Sequence, residues 1–384
     1  MNRGLQGRYV RQTTGSEPFE AFVPLALPPE PFPETDLDLL EKANRAVGRL
    51  DALTLLLPDP SIFLYFYVRK EAVLSSQIEG TQSSLSDLLI HEYREAPGVP
   101  VGDVEEVSDY VAALNHGLQR LRGGFPLSLK LLREIHRVLL SKGRGSSRTP
   151  GEFRRSQNRI GGSRPGNARF VPPPPEQVMG CMGDLERFLH DQPDRTPLLL
   201  KAGLSHVQFE TIHPFLDGNG RLGRLLITFL LCIEGALSEP LLYLSLYFKA
   251  NRDTYYDLLQ RVRVEGDWEA WMTFFLEGVA ETAGQAVKTA QRITEVFTAD
   301  RSRIEMMGPA AGNVSRVHSY LRQKPVVQIP KASKDMGISQ PTVTSALRRL
   351  EEIGVVREIT GKARDRIYVY KEYLDILEEG TKPL

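Results

Sequence analysis

Between positions 222 and 233 the sequence predicts a helix that is not stable when exposed to water. Apolar residues recur at the spacing i, i+3, i+4, i+7, i+8 and i+11, at Leu222, Leu225, Leu226, Phe229, Leu230 and Ile233. Ile227 and Leu231 fill the opposite side, so the helix is apolar on nearly all of its faces. Such a helix is stable only when other elements surround it. The chain must therefore build its core around a central helix.

The rest of the sequence is mainly helical in pattern. Amphipathic helices are predicted at 36–50, 61–78, 105–121, 127–140, 175–190, 198–211 and 268–297. Strand patterns are scarce. Segment 159–171 has a Gly, Pro and Asn cluster between two short apolar stretches, which predicts a surface hairpin. The predicted fold class is all-α with one small β-hairpin, plus a C-terminal winged helix-turn-helix domain.

The length of the chain, 384 residues, corresponds to two or three domains at roughly 150 residues each. We predict an extended N-terminal arm at 1–35, where five prolines are crowded before Asp36. An N-terminal helical region follows at 36–110, and a helical core at 111–300. Residues 310–384 form the last predicted domain.

The C-terminal region differs from the rest of the chain in charge. Residues 313–370 have eleven Lys and Arg against five Asp and Glu, whereas the whole chain has 48 of each. Three predicted helices are followed by two strand-like runs, which is the order of a winged helix-turn-helix. Thr342, Ser345 and Arg348 would lie on the exposed face of its third helix. Duplex DNA is therefore a candidate partner for 313–370, with protein binding or homodimer formation as the alternative.

Composition excludes several other classes of protein. The balanced charge gives no bulk attraction to nucleic acid or to a membrane surface. The longest uncharged apolar stretch, 225–233, is far shorter than the ~20 residues of a membrane span. Cys181 and Cys232 match no metal or redox spacing and are predicted to be reduced core residues. We therefore expect a cytoplasmic protein with no membrane partner.

The segment from His213 to Arg224 concentrates residues that suit phosphate binding. Gly218 and Gly220 allow a sharp turn with outward N–H groups, and the N-terminus of the following helix adds partial positive charge. Arg221 and Arg224, three residues apart on that helix, can bracket a polyphosphate. The pattern predicts an anion-binding concavity.

Two further side chains of this segment predict chemistry at the bound phosphates. Asp217 offers the hard oxygen ligand that Mg²⁺ prefers when phosphates complete its coordination shell. His213 is a base with a pKa ordinarily near neutrality, placed directly before the loop. The segment therefore combines a metal ligand and a base with an anion site.

Residues 218–223 also satisfy the dinucleotide pattern G-x-G-x-x-G. That pattern requires a buried strand directly before it and alternating strands and helices around it. Here the helix 198–211 precedes the glycines and no parallel sheet is predicted, so we set dinucleotide binding aside. A purely structural histidine with surface arginines would leave the remaining residues of 213–224 unexplained.

At these residues the sequence resembles the Fic-domain family. Residues 213–224 match its signature, HPFx(D/E)GNGRxxR, at every position. The resemblance extends over about 61–297, where the hairpin is similar to the target-binding flap of the family; Ile160, Phe170 and Val171 would form it. The resemblance implies a mainly helical fold. It also implies transfer of AMP from ATP to a Ser, Thr or Tyr hydroxyl of a target protein or of the chain itself.

The resemblance implies a role for each residue of the signature. His213 would take the proton of the target hydroxyl as it attacks the α-phosphate, and Asp217 would hold Mg²⁺ against the α- and β-phosphates. Contacts to the nucleotide phosphates would come from Gly218, Asn219, Gly220, Arg221 and Arg224. The two arginines would hold the β- and γ-phosphates in line for departure.

A second motif lies upstream, at residues 75–80. Its sequence, SSQIEG, resembles the inhibitory motif of the family, (S/T)xxxE(G/N). Ser75 and Glu79 are four residues apart and share a helix face, and Gly80 would end the helix. The resemblance implies that Glu79 pairs with Arg224 and occupies the space of the γ-phosphate. The alternative is an ordinary surface glutamate before a C-cap glycine.

The leading hypothesis is an autoinhibited protein adenylyltransferase that uses ATP and Mg²⁺. Within the same fold, the alternatives are a de-AMPylase, in which Glu79 positions a water, and the transfer of another nucleotidyl group. A hypothesis of another class is a DNA-binding regulator that senses ATP. The sequence leaves open the target protein, the modified residue, the signal that relieves inhibition and the oligomeric state.

Overall fold

In a computed structural model the chain is described at residues 3–14, 17–56, 60–91, 101–143, 145–361 and 366–383. These residues form fifteen α-helices and five short strands, which is the mainly helical class that the sequence predicts. None of the described helices is both long enough and apolar enough to cross a membrane.

The helices of the N-terminal half are α1, Leu37–Leu56; α2, Pro60–Ile78; α3, Leu85–His91; α4, Val101–Arg122; α5, Leu129–Leu139; α6, Pro175–Leu189; and α7, Leu198–Ile212. Those of the C-terminal half are α8, Asn219–Ile233; α9, Ser245–Ala250; α10, Arg252–Glu265; α11, Trp268–Glu305; α12, Ala311–Gln323; α13, Ile329–Met336; α14, Gln340–Glu352; and α15, Lys371–Glu378. The strands are β1, Gly7–Thr14; β2, Glu17–Pro24; β3, Val326–Gln328; β4, Val356–Glu358; and β5, Ile367–Tyr370.

The predicted central helix is α8. Its residues from Arg221 to Leu231 are all buried, and it reaches the surface at its C-terminal end, where Ile233 is exposed. It packs against α2, α4, α5 and α7. Because α7 is itself buried from Leu199 to Ile212, the loop between α7 and α8 is held at both ends inside the core.

Within the predicted N-terminal arm, residues 7–24 form an antiparallel hairpin of β1 and β2 with Gly7 opposite Pro24. Aromatic and β-branched residues such as Tyr9 and Val10 favour strands. The crowded prolines start only at Pro24, where β2 ends, so they do not interrupt the hairpin. Residues 1, 2, 15 and 16 of the predicted arm lie outside the described residues.

The hairpin predicted at 159–171 is reduced to a single pair of residues. Ile160 and Phe170 exchange both backbone hydrogen bonds, at 2.8 and 3.1 Å, and a 3₁₀ turn at Pro165–Asn167 connects them. Gly161 and Gly162 both adopt φ of +70°, which bends the chain away from strand geometry directly after Ile160. We call residues 159–171 the flap.

The C-terminal region has helices and strands where the sequence predicts them. It contains α12, α13 and α14, a sheet with the order β3–β5–β4, and α15. Residues 362–365, in the predicted wing, lie outside the described residues. The region packs on the helical core, where the Tyr370 hydroxyl donates to Asp300 at 2.8 Å and the Tyr373 ring contacts Phe66. That it is a winged helix-turn-helix stays a prediction.

Candidate active site

His213 lies at the junction of the two buried helices. Its N–H donates to the Phe209 carbonyl at 2.9 Å, which caps the end of α7. Its backbone is left-handed, with φ of 49° and ψ of 59°, a conformation that is uncommon for a residue with a side chain. The chain therefore leaves α7 abruptly, and the imidazole lines a cavity next to α8.

The surroundings of His213 keep its ring neutral. Burial, followed by the positive charges of Arg154 and Arg263, lowers the pKa of His213 to about 4. The imidazole is therefore unprotonated at physiological pH, and an unprotonated imidazole can accept a proton. These surroundings suit a general base, although they also reduce its basicity.

Side chains fix the loop that follows His213. Asn219 accepts from the Phe215 N–H at 2.9 Å and donates to the Phe215 carbonyl at 2.8 Å. The ring of His136 stacks on Phe215 with 3.7 Å between ring centroids. Since the Asn219 side chain is used to close the loop, a phosphate contact from this residue would come from its backbone N–H. The first N–H groups of α8 have no acceptor within the helix.

Arg221 does not face the cavity. Its guanidinium lies 2.9 Å from Glu106 on α4, and both side chains are almost fully buried. Asp217 lies on the same side, with one carboxylate oxygen 3.7 Å from Arg221 and 2.6 Å from the N–H of Gly218. The structure thus gives Arg221 carboxylate partners, whereas the sequence assigned it to phosphates; its phosphate role stays a prediction.

Arg224 points in another direction, toward the end of α2. Its guanidinium donates to the Ser75 hydroxyl at 2.8 Å, to the Ser75 carbonyl at 2.9 Å and to the Glu79 carboxylate at 2.8 Å. Although burial opposes ionisation of Glu79, the positive charge of Arg224 leaves the pKa of this carboxyl below its ordinary value. The two residues therefore form a charged pair at neutral pH.

The Glu79 carboxylate lies directly over the first turn of α8. A Cβ atom at position 220 would overlap with it, so the close approach requires Gly220. Gly80, with φ of +99°, turns the chain out of α2 directly after Glu79. The structure brings the two sequence motifs together, one at the end of α2 and the other at the start of α8.

A cavity of about 480 Å³ lies in front of these groups. That volume is in the range of small-molecule sites. Six of the predicted site residues line it: Glu79, Ile160, Phe170, His213, Gly220 and Arg224. The others lie outside this lining: Ser75, Gly80, Val171, Asp217, Gly218, Asn219 and Arg221.

Sequence reasoning missed the opposite wall of the cavity, which α10 provides. Its residues in the lining are Arg252, Tyr255, Tyr256, Leu259, Gln260 and Arg263. They follow the spacing i, i+3, i+4, i+7, i+8 and i+11, as in α8, but all except Leu259 are polar or aromatic. That periodicity was the available signal.

Glu210 is a further residue of the wall that the sequence did not single out. It lies one turn before His213 on α7, and a Cβ atom at Gly223 would lie 2.5 Å from its carboxylate. Burial raises the pKa of Glu210 to about 7. The cavity thus contains two carboxyl groups, of which only Glu79 contacts Arg224 at hydrogen-bond distance.

The described part of the chain contains no metal site made only of protein side chains. Within the described ranges, no three His, Cys, Asp or Glu side chains come together in a metal-binding group. Mg²⁺ does not need such a group, because it commonly uses one or two carboxylates with phosphates and waters. Asp217, whose side chain is 33% exposed, fits that kind of coordination.

Comparison with known families identifies the central part of the chain. Sequence models of the Fic/DOC family N-terminal region and of the Fic/DOC family match residues 37–119 and 126–231. Residues 37–231 belong to the Fic/DOC family. Both motifs of the site fall inside these ranges. The C-terminal region lies outside them.

The Fic region is similar to proteins named protein adenylyltransferase Fic. One from Aedes aegypti is 36% identical over 157 residues, which are 41% of this chain and 28% of that protein. One from Drosophila yakuba is 29% identical over 208 residues, 53% of this chain and 39% of that protein. The chain therefore spans well under half the length of these relatives.

Solved structures of Fic proteins share the fold. A Fic family protein from Desulfovibrio desulfuricans G20 superposes with a TM-score of 0.58 at 20% identity, covering 89% of this chain and 98% of that one. Residues 134–508 of Fic-1 from C. elegans give a TM-score of 0.50 at 22% identity, covering 67% and 74%. The predicted Fic fold is confirmed.

Proposed function

We propose that this chain is a protein adenylyltransferase, which transfers AMP from ATP to a hydroxyl group of a protein. The supporting observation is the cavity that His213, Gly220 and Arg224 share at the N-terminus of α8. It combines a neutral base with the positive end of a buried helix and a guanidinium, which suits transfer at a phosphate. The insect relatives carry the name of this activity.

In the proposed reaction His213 accepts the proton of the target hydroxyl. The hydroxyl oxygen forms a bond to the α-phosphorus of ATP, and the bond from that phosphorus to the bridging oxygen of pyrophosphate breaks. The backbone N–H groups at the start of α8 and the guanidinium of Arg224 stabilise the charge on the phosphates. AMP remains on the target and pyrophosphate leaves.

Asp217 is the residue that would hold Mg²⁺. One of its oxygens accepts from Gly218, and the carboxylate is partly exposed next to the start of α8. A bound Mg²⁺ would neutralise charge on the nucleotide phosphates. Arg221 lies beside this carboxylate, so we assign it to holding Asp217 in place as well as to the phosphate region.

The flap offers one edge to an extended segment of the target. The Val171 carbonyl accepts from the Phe22 N–H at 2.9 Å, so β2 covers the outer edge of the flap strand that contains Phe170. The other edge belongs to the strand that contains Ile160, where Arg159 and Gly161 line the cavity. Strand addition there would place a target hydroxyl near His213 without requiring a particular target sequence.

This function can be tested by comparing how much label the protein incorporates from α-labelled and from γ-labelled ATP. We expect the Glu79→Gly variant, incubated with Mg²⁺, to incorporate label from α-labelled but not from γ-labelled ATP. Mass spectrometry of the labelled protein should find AMP on a Ser, Thr or Tyr hydroxyl. Incorporation from γ-labelled ATP, or none from either nucleotide, would refute adenylyl transfer.

We also propose that the Glu79–Arg224 pair inhibits the enzyme. A γ-phosphate bound to Arg224 needs the place that the Glu79 carboxylate occupies over Gly220. ATP would then bind in a pose that does not present its α-phosphate to the flap edge. Inhibition therefore depends on how firmly α2 holds Glu79.

The C-terminal segment of the chain contacts the inhibitory motif directly. The Gln77 amide, inside that motif, donates to the Thr381 carbonyl at 2.7 Å and to the Ser83 carbonyl at 2.8 Å. Lys249 donates to the Gln77 side chain at 2.6 Å and to carbonyls of the C-terminal segment, Gly380 and Lys382. These bonds hold the last turn of α2.

We predict that Gln77→Ala raises auto-modification several-fold to about tenfold. A buried hydrogen-bonding group left unpaired costs about 1–3 kcal/mol, which would loosen the end of α2 and release part of the Glu79 population. Incorporation of α-labelled ATP measures the effect. Gln82→Ala, which changes an exposed glutamine five residues further on, is the matched control. Equal auto-modification in Gln77→Ala and Gln82→Ala would contradict the prediction.

Binding of duplex DNA is a second candidate function, which we propose for residues 313–370. Arg348 and Arg349 are exposed on α14 and contact no carboxylate of a described residue, and open clefts run along both sides of this helix. Each lost phosphate contact should weaken binding and lower the salt slope by about one.

We therefore expect Arg348→Ala and Arg349→Ala to reduce salt-dependent binding of a fluorescent duplex. Anisotropy titrations at several KCl concentrations would measure this. Arg301→Ala, which changes an exposed arginine on α11, and His213→Ala should leave DNA binding unchanged. Absence of salt-dependent binding by the unmodified chain would exclude a DNA-binding role.

A further inference from the structure

Arg154 is a buried arginine with an unusual set of partners. It is 2% exposed and lies within hydrogen-bond distance of no carboxylate in the described part of the chain. Burial lowers the pKa of its guanidinium to about 10. Burying a charge without an opposite charge is costly. A side chain held at that cost is a candidate for a functional role.

Among the described residues, the guanidinium of Arg154 donates only to backbone carbonyls. The partners are His213 at 2.9 Å, Pro173 at 2.5 Å, and Ile212 and Ser156 at 3.4 Å each. Its own N–H donates to the Pro214 carbonyl at 2.9 Å. The planar guanidinium of arginine has five N–H donors and can therefore bind all four carbonyls, whereas the ammonium group of a lysine cannot.

These carbonyls belong to two structures that must meet in the proposed reaction. Ile212, His213 and Pro214 form the left-handed turn at the end of α7 that aims the imidazole into the cavity. Ser156 lies just before the flap and Pro173 just after it, so the Arg154 side chain binds both ends of the flap. Arg154 thus connects the proposed general base, His213, to the segment that would present the target.

We infer that Arg154 is a positioning residue for adenylyl transfer, which holds the His213 turn and the two ends of the flap in one fixed arrangement. This inference rests on the proposed function. A hydroxyl presented by the flap edge then meets the imidazole at reacting distance. A misplacement of about 1 Å can cost roughly 10²-fold in rate, so the contact affects catalysis more than ATP binding.

The charge of Arg154 gives a second readout. The charges that act most strongly on His213 are those of Arg154, of Arg263 on α10 and of Glu79 at the end of α2. The other charged or titratable groups in the cavity lining are Glu210, Arg159, Arg169, Arg224, Arg252, Tyr255 and Tyr256. Arg154 and Arg263 lower the pKa of His213, and Glu79 raises it. Removing the charge at 154 should therefore raise the pKa of His213, so that the rate begins to fall at a higher pH on acidification.

The experiment compares Arg154→Lys and Arg154→Gln, each in the Glu79→Gly background. Both variants should lose about 10- to 100-fold in kcat for target modification, with Kd for ATP within a few-fold. Arg154→Lys keeps the charge and should keep the acidic limb of the pH profile. Arg154→Gln should move that limb to higher pH. Arg155→Lys and Arg155→Gln, at the neighbouring exposed arginine, should change neither property.

The ionisation of His213 can also be measured directly in variants whose activity is too low for a pH–rate profile. Acylation of His213 by diethyl pyrocarbonate, followed by mass spectrometry across a pH series, reports its ionisation without turnover. The inference is overturned if Arg154→Lys and Arg154→Gln match the Glu79→Gly parent in kcat, or if Arg154→Gln reacts with the same pH dependence as the parent. If the parent itself transfers no AMP, the proposed function fails instead.

Discussion

We expect Glu79→Gly to raise auto-modification by about ten- to a hundred-fold over the wild-type chain. The variant removes the carboxylate that contacts Arg224 and occupies the space above Gly220. A charge-assisted hydrogen bond of this kind is worth about 1.5–3 kcal/mol, which corresponds to that factor in the population able to bind ATP productively. Incorporation of α-labelled ATP in the presence of Mg²⁺, as an initial rate per protein, measures the change.

Two further variants separate inhibition from an unspecific effect at the end of α2. Glu79→Gln keeps the shape of the side chain but not its charge, and should activate less than Glu79→Gly. Arg224→Ala loses both the inhibitory contact and the phosphate contact, so Glu79→Gly combined with Arg224→Ala should be as inactive as Arg224→Ala alone. Such non-additivity is expected of residues that act through one contact. If Glu79→Gly folds and binds ATP but modifies itself no faster, Glu79 has no inhibitory role.

The contact between the two motifs could be anticipated because each is local. Residues 75–80 and 213–224 are continuous in sequence, and each contains a helix end whose geometry follows from its own residues. Gly80 ends α2 and Gly218 precedes α8, so Glu79 lies directly after α2 and Arg224 lies in the second turn of α8. These local signals do not show that Glu79 pairs with Arg224, and this pairing was implied by the family resemblance.

Arg221 shows where local reasoning stops. Residues 221 and 224 are about 60° apart around a helix, which suggested a shared phosphate. However, α8 is buried on all sides, so even neighbouring directions lead to different helices: Arg221 reaches Glu106 on α4 and Arg224 reaches α2. No pattern in the sequence connects 221 with a glutamate 115 positions earlier.

The position of Arg154 was unpredictable for a related reason. Its partners are backbone carbonyls, which every residue has, so its sequence environment carries no signal for them. The wall formed by α10 was in contrast readable, because its polar and aromatic residues repeat at helical spacing. A stripe of this composition is typical of a helix face that lines a cavity, as this face of α10 does.

His213→Ala should reduce AMP transfer by about 10²–10⁴ in the Glu79→Gly background while Kd for ATP stays within a few-fold. General-base catalysis contributes a factor of that size to the rate and little to ground-state affinity. Since His213 has a left-handed backbone, which histidine adopts more readily than alanine, the alanine variant is also expected to be less stable.

Asparagine tolerates this conformation but is not a base, so His213→Asn separates the two effects. We expect it to be as inactive as His213→Ala and more stable to heat. His190→Ala, at an exposed histidine after α6, should behave like its parent. Single-turnover incorporation of α-labelled ATP and calorimetric titration with ATP give the rate and the affinity. Full activity of His213→Asn would show that the proton of the hydroxyl leaves by another route.

Because burial and two arginines keep the imidazole neutral, the parent rate should stay level as the pH falls from 8 to about 6.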